Sequence, residues 1–214
     1  MSLPPDLSAR THPDVRLDNA AVVTDSRTND TFEVAFVCTG NRARSALSEA
    51  LYGRYAYGFD TCARSFGTLD LGGAPALEHA VDAGRKLGVD IRAHTSAVLP
   101  RGALADVDLV LAFEPHHVAA AVIDGAARPD RVFLLREFVE LIEASPADGS
   151  AQHARARVAA AGERRLRPRG DAARFVTPDP AGKSPRMMLA TASEIDELVR
   201  RLVLGLFGRP ARSH

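Results

Sequence analysis

The chain changes character at Phe32. Before it, residues 1–31 are polar and turn-rich, with Pro13, Asp14, Asp18, Asn19, Asp25, Asn29 and Asp30 and no sustained apolar period, which predicts a flexible extension. Phe32-Glu33-Val34-Ala35-Phe36-Val37 is then a short β-prone run, ended by the loop Cys38-Thr39-Gly40-Asn41. A helix is predicted just after Ser45: Ala46, Leu47, Ala50 and Leu51 mark one face, and Glu49 falls in the first turn, near the positive end of the dipole. The pattern repeats as a strand over Asp60 to Arg64, a helix over Ala76 to Leu87, a strand over Val107 to Phe113, a helix over Pro115 to Val122 and a strand over Val132 to Leu135. Such alternation predicts an α/β fold, a parallel sheet with helices on both faces. Residues 136–174 read as an insertion or elaborated connection, with helices over Arg136 to Ala144 and about Ala151 to Leu166. An amphipathic helix over Ala192 to Phe207, with Ile195, Leu198, Val199, Leu202 and Leu206 on its apolar side, closes a single domain of residues 32–208 before a short tail at 209–214.

Composition agrees with one globular domain: 214 residues, 46% hydrophobic and 25% charged. Basic and acidic residues balance at 27 each, so no whole-molecule field draws in nucleic acid or an anionic membrane, and any attraction for an anion must be local. The 2 cysteines, Cys38 and Cys62, are too few for a disulfide scaffold and point to a reducing compartment, the cytoplasm. The first ten residues lack the cationic and apolar regions of an export signal, and no apolar run approaches the ~20 residues needed to cross a bilayer. No membrane association is expected.

The candidate chemistry lies in Cys38-Thr39-Gly40-Asn41-Arg42-Ala43-Arg44-Ser45, where a cysteine ends a strand, an arginine follows six positions later and a helix begins. A loop curling between strand and helix aims backbone N–H groups at one point, and the helix N-terminus adds its positive end. Gly40 is expected to permit the tight curl. Arg44 contributes a planar fork that matches two phosphate oxygens, which lysine does not. A thiol in such surroundings is favoured as thiolate, so a nucleophile and a bound phosphate share one pocket.

Cysteine, five residues, arginine, then serine, set between strand and helix, resembles the phosphate-binding loop of the low-molecular-weight protein tyrosine phosphatases. Asp179-Pro180, followed by Gly182 and just before the last helix, resembles the loop that carries this family's general acid. Ser65-Phe66-Gly67-Thr68 is similar to the family's Ser-Ala-Gly-Thr segment, whose serine bonds the loop asparagine, here Asn41; His94 is in place to support the loop serine, here Ser45. The resemblance spans about Phe32 to Phe207 apart from the longer region 136–174. It implies a four-stranded parallel sheet flanked by helices, attack by Cys38, a cysteinyl-phosphate intermediate, and Asp179 acting as acid and then as base. Arg44 and the loop from Thr39 through Gly40, Asn41, Arg42 and Ala43 to Ser45 would bind the phosphate of a protein or small phosphomonoester, with neither metal nor cofactor. A monomer or weak dimer is expected.

Departures from the family sharpen the expectation. Ala43 stands where many members have a second cysteine, so a protective disulfide within the loop is excluded. Ala46 replaces the usual proline and Arg42 a commonly apolar residue. No aromatic residue lies near Leu69 to Leu71 or after Pro180, which leaves Phe66 or Phe113 as substitutes for the missing walls of a phosphotyrosine pocket. Cys62, inside a strand, is read as packing. Glu114, His116 and His117 sit together at a strand end, but adjacent helical positions point apart and predict no shared metal. The arginines at 155, 157, 164, 165, 167 and 169 read as a solvated helix face. The alternative on the same fold is a thiol-dependent arsenate reductase. Asp179 argues against it, since protonating an organic leaving group is a phosphatase task, and against a mere phosphate binder, which needs neither Cys38 nor Asp179.

Overall fold

A computed structural model describes residues 31–143, 150–165 and 172–208. Most of the expected N-terminal extension, the tail, and the predicted helix ends at Ala144 and Leu166 lie outside these residues. Four strands, β1 (Phe32–Cys38), β2 (Thr61–Gly67), β3 (Leu109–Ala112) and β4 (Val132–Leu134), form one sheet of order β2-β1-β3-β4 with every pairing parallel. The helices are α1 (Arg44–Tyr55), α2 (Glu78–Lys86), α3 (Pro115–Ile123), α4 (Leu135–Ile142), α5 (Ala151–Arg165) and α6 (Pro185–Phe207). The α/β architecture read from the alternation is therefore the observed one. No helix among the described residues is long and apolar enough to cross a membrane.

The sheet is buried on both sides because β1 alternates two apolar sets. Phe32, Val34, Phe36 and Cys38 join the core beneath α1 and α6, while Ala35 and Val37 join a second core that includes Ala121 of α3. Ile195, Leu198, Val199, Leu202 and Leu206 of α6 are all buried in the first core, each contributing about 1.5–3 kcal/mol. β1 is central and its neighbours lie on opposite sides, so the chain reverses its direction of sheet growth there. Ligands in open α/β sheets bind outside the strand carboxyl ends at such a switch point, and Cys38 ends β1 at it.

Several boundaries move. β2 runs on to Gly67 because its register with β1 holds to the Cys38–Gly67 pair, and Cys62 on it is exposed rather than packed. α1 starts at Arg44, which takes Glu49 out of the first turn. α6 starts at Pro185, not Ala192, with proline in its first turn and the Ser184 hydroxyl accepting the Met187 N–H at 3.3 Å.

The arginine concentration on α5 is not a solvated face. Arg155 forks onto the buried Asp108 at 2.9 and 3.1 Å, and Arg165 pairs with Glu137 at 3.1 Å. Arg157 donates to the Ile142 carbonyl and Arg164 to the Leu141 carbonyl, satisfying acceptors that the end of α4 leaves open. These side chains fasten the elaborated α4–α5 region to the sheet; positions 167 and 169 lie outside the described residues.

Candidate active site

The loop after β1 is held from several directions. The Thr68 and Leu69 N–H groups donate to the Cys38 and Thr39 carbonyls at 2.9 Å each, and Leu77 N–H donates to the Arg42 carbonyl at 2.9 Å. Gly67 permits this approach, since a Cβ there would lie 2.9 Å from the Thr39 carbonyl oxygen. The tight curl is carried by Asn41, whose φ is 50°, and not by Gly40. Asparagine tolerates the left-handed region better than most residues. α1 begins without a side-chain cap, so its N-terminal N–H groups stay open toward the loop.

Asn41 also fixes the direction of a hydrogen-bond chain that ends on sulfur. Its Oδ1 accepts the Ala97 N–H at 2.8 Å, which turns Nδ2 toward two hydroxyls, Ser45 Oγ at 2.9 Å and Ser65 Oγ at 2.8 Å. Ser65 donates onward to the Glu49 carboxylate, which can only accept. Ser45 Oγ, which accepts from Asn41, lies 2.9 Å from Cys38 Sγ, and the Asn41 N–H donates to the same sulfur at 3.3 Å. A thiolate at Cys38, which can only accept, would take both the Asn41 N–H and the Ser45 proton. Ser65 thus meets Asn41 as expected, whereas His94 does not support Ser45: its Nε2 lies 2.6 Å from the Asn41 carbonyl oxygen and braces the loop there.

Arg44 is 1% exposed and both terminal nitrogens of its guanidinium are engaged. Nη1 pairs with Glu114 and donates to the Thr177 carbonyl at 3.0 Å; Nη2 donates to Thr39 Oγ1 at 3.3 Å and pairs with Asp179 at 2.8 Å. Asp179 is brought here by its loop, which Thr177 ties to the end of β3 through its N–H on the Phe113 carbonyl at 3.0 Å. Cys38, Thr39, Gly40, Arg42, Ala43, Arg44 and Asp179 line one cleft of about 190 Å³, completed by Leu69, Leu71, Leu77 and Ala181. The walls are aliphatic. Phe66 and Phe113 do not replace the missing aromatic ones: Phe66 is in the core, and Phe113 lies under the Arg44 guanidinium with its ring centre 5.7 Å away.

Glu114 and Thr177 are the partners of Arg44 that spacing did not reveal. Glu114, His116 and His117 do converge, against expectation, with one potential ligand atom each within 4.8 Å of the others. Yet Glu114 is committed to Arg44, His117 Nε2 lies 2.9 Å from Thr39 Oγ1, and the group sits at the positive end of α3. Its chemistry is support for the loop rather than cation binding.

His117 is fully buried, and burial first, then His116 and Arg44, pushes its pKa down from 6.5 to about 3. The unfolded chain therefore takes up a proton below pH 6.5 that the folded chain refuses until about pH 3, so stability is lost as pH falls through that window. By pH 5 this one group costs about 2 kcal/mol relative to pH 7.5. Urea melts at the two pH values should differ by about that much more in the wild type than in His117→Gln.

The sequence profile of the family described as low molecular weight phosphotyrosine protein phosphatase matches residues 33–166. A protein-arginine-phosphatase of Bacillus subtilis (strain 168) is 33% identical over 109 residues, covering 50% of this chain and 72% of that protein. Among solved structures, a low molecular weight protein tyrosine phosphatase from T. tengcongensis aligns with a TM-score of 0.60 at 28% identity, over 80% of this chain and 97% of its own. One from Bacillus subtilis aligns with a TM-score of 0.59 at 26% identity, over 82% and 97%. The chain is a phosphatase and belongs to the low molecular weight phosphotyrosine protein phosphatase family.

Proposed function

We propose that the protein hydrolyses phosphomonoesters through a cysteinyl phosphate on Cys38, with Arg44 as clamp and Asp179 as proton donor. One observation carries the reading: Cys38, Arg44 and Asp179 line the same cleft, and the Asp179 carboxylate sits 2.8 Å from Arg44 Nη2, on the donor a phosphoryl oxygen would use. The substrate's phosphoryl group displaces Asp179 from that donor. Freed from Arg44, Asp179 takes a proton from solvent and gives it to the departing oxygen as the Cys38–phosphorus bond forms and the phosphorus–oxygen bond breaks. Water then attacks phosphorus, Asp179 takes its proton, and inorganic phosphate leaves with the thiolate restored. Open N–H groups of the loop and Arg44 hold the equatorial oxygens throughout. An arsenate reductase would gain nothing from an acid placed at the clamp, so the phosphatase reading is favoured over that alternative.

The cleft favours phosphotyrosine over phosphoarginine. Arg42 lines it with its Nε donating to the Pro75 carbonyl at 2.6 Å, which puts a cation at the wall of the cleft. A phosphoguanidinium is repelled there, whereas a phenyl ring lies against Leu69, Leu71 and Leu77 and beneath the guanidinium. The reading places the enzyme in the cytoplasm with Cys38 and Cys62 as free thiols, acting as a monomer or weak dimer on phosphorylated proteins, without nucleic acid or membrane.

The test is a leaving-group series with wild type and Asp179→Asn. Asp179→Asn is expected to lose about 10²–10³ in kcat for phenyl phosphate and much less for p-nitrophenyl phosphate, whose phenolate leaves without help. An equal loss on both esters, or faster turnover of free phosphoarginine than of phosphotyrosine by wild type, would count against the reading.

A further inference from the structure

The side chain of Thr39, held by a neutral His117, supplies a hydrogen bond of its own to the phosphoryl group; we propose this as a catalytic contact beyond the backbone cradle and Arg44. It rests on the cysteinyl-phosphate reading above and concerns a hydroxyl that reading does not use.

A threonine hydroxyl has one proton and two lone pairs. Arg44 Nη2, a donor only, points at Thr39 Oγ1 from 3.3 Å and occupies one lone pair. His117 Nε2 lies 2.9 Å from the same oxygen, and either atom could donate. The opposite ring nitrogen decides which. His117 Nδ1 is buried and has no hydrogen-bond partner among the described residues. If Nδ1 carried the imidazole proton, a buried N–H would be orphaned, the arrangement folded proteins avoid most strongly; a lone pair left there is better tolerated. The proton therefore sits on Nε2 and is donated to Thr39. Both lone pairs of Oγ1 are then occupied, and only its proton is left to give.

That proton has one useful direction. Thr39 lines the cleft with Cys38 and Arg44, and the guanidinium nitrogen that touches its oxygen also holds the Asp179 carboxylate. A phosphoryl oxygen that takes the place of this carboxylate is met by Arg44 Nη2 and the Thr39 hydroxyl together. His117 does not touch the substrate; it is a positioning residue, whose burial keeps it uncharged and a single-proton donor.

Binding of inorganic phosphate to the Cys38→Ser protein tests the contact without turnover, so its failure is separable from failure of the cysteinyl-phosphate reading. Adding Thr39→Val, which keeps shape and removes the proton, is expected to weaken phosphate about tenfold. Thr39→Ser is expected to recover most of that loss, and His117→Leu to weaken phosphate less when Thr39 is already valine than when it is threonine. The ¹⁵N spectrum of His117 at pH 7 should show a protonated Nε2 and a bare Nδ1. Thr39→Val protein that melts like its parent and binds phosphate equally well would overturn the proposal, as would a protonated Nδ1.

Discussion

Cys38→Ser is expected to lower kcat for p-nitrophenyl phosphate by about 10⁴ or more, to the limit of detection. A serine hydroxyl at this position keeps its proton at neutral pH. Among the described residues the groups that touch the sulfur are the Ser45 hydroxyl at 2.9 Å and the Asn41 N–H at 3.3 Å, and neither is basic enough to remove that proton. Asp179 is held on Arg44, on the leaving-group side. The cradle is otherwise untouched, and phosphate affinity should stay within about threefold of wild type, because the loop N–H groups and Arg44 bind the oxygens and not the sulfur. Initial rates together with phosphate titration separate the two effects.

Arg44→Lys is expected to cost about 10²–10³ in kcat/KM on the same substrate although the charge is kept. The guanidinium reaches Glu114 and Thr177 with one nitrogen while presenting the other to Thr39, Asp179 and the incoming phosphate. A lysine ammonium is a single point; if it pairs with Glu114 it leaves the phosphoryl oxygen short of a donor, and if it serves the phosphate it leaves Glu114 partly buried without its partner. Much of the loss should therefore appear in kcat, which saturating substrate does not restore, with a smaller rise in KM, which it does offset.

What the sequence made legible was local or periodic. β1, α1 and the loop between them follow one another directly, so spacing alone brings Cys38 and Arg44 into one loop, whereas Ser45 and Asp179 stand out only through the resemblance to the family's loop serine and Asp-Pro loop. The alternation of strands and helices carried the sheet. What stayed hidden depends on contacts far apart in the chain. Glu114 lies 70 positions from Arg44 and the Thr177 carbonyl 133, and no periodicity links them. The helix dipole does not account for Glu49, whose partner Ser65 belongs to a different element, β2. The arginines of α5 looked like a solvated face because charge patterning does not register a carbonyl at the end of a neighbouring helix. The start of α6 has a local signal that the apolar period from Ala192 does not contain: Ser184-Pro185 is a capping serine followed by a proline in the first turn.

The His94 assignment failed for a similar reason. A loop of this curvature exposes both a serine hydroxyl and an asparagine carbonyl, and only the register of the chain near Ala97 decides which faces the imidazole. The consequence is mechanical: Asn41 is held through its side chain by Ala97, Ser45 and Ser65, and through its carbonyl by His94, at the one residue of the loop with a positive φ. This fixed curl sets where the sulfur and the open N–H groups point before any substrate arrives, which is the preorganisation that oxyanion binding requires.

The central claim is that phosphorus is bonded to Cys38 during turnover. Acid-quenched samples of the wild-type protein turning over p-nitrophenyl phosphate, digested and read by mass spectrometry, should carry phosphate on the peptide containing Cys38, preceded by a burst of one equivalent of p-nitrophenol per enzyme. Steady release of p-nitrophenol without a burst, with no phosphate on that peptide and full activity in Cys38→Ser, would mean that water attacks the substrate directly and would contradict the account.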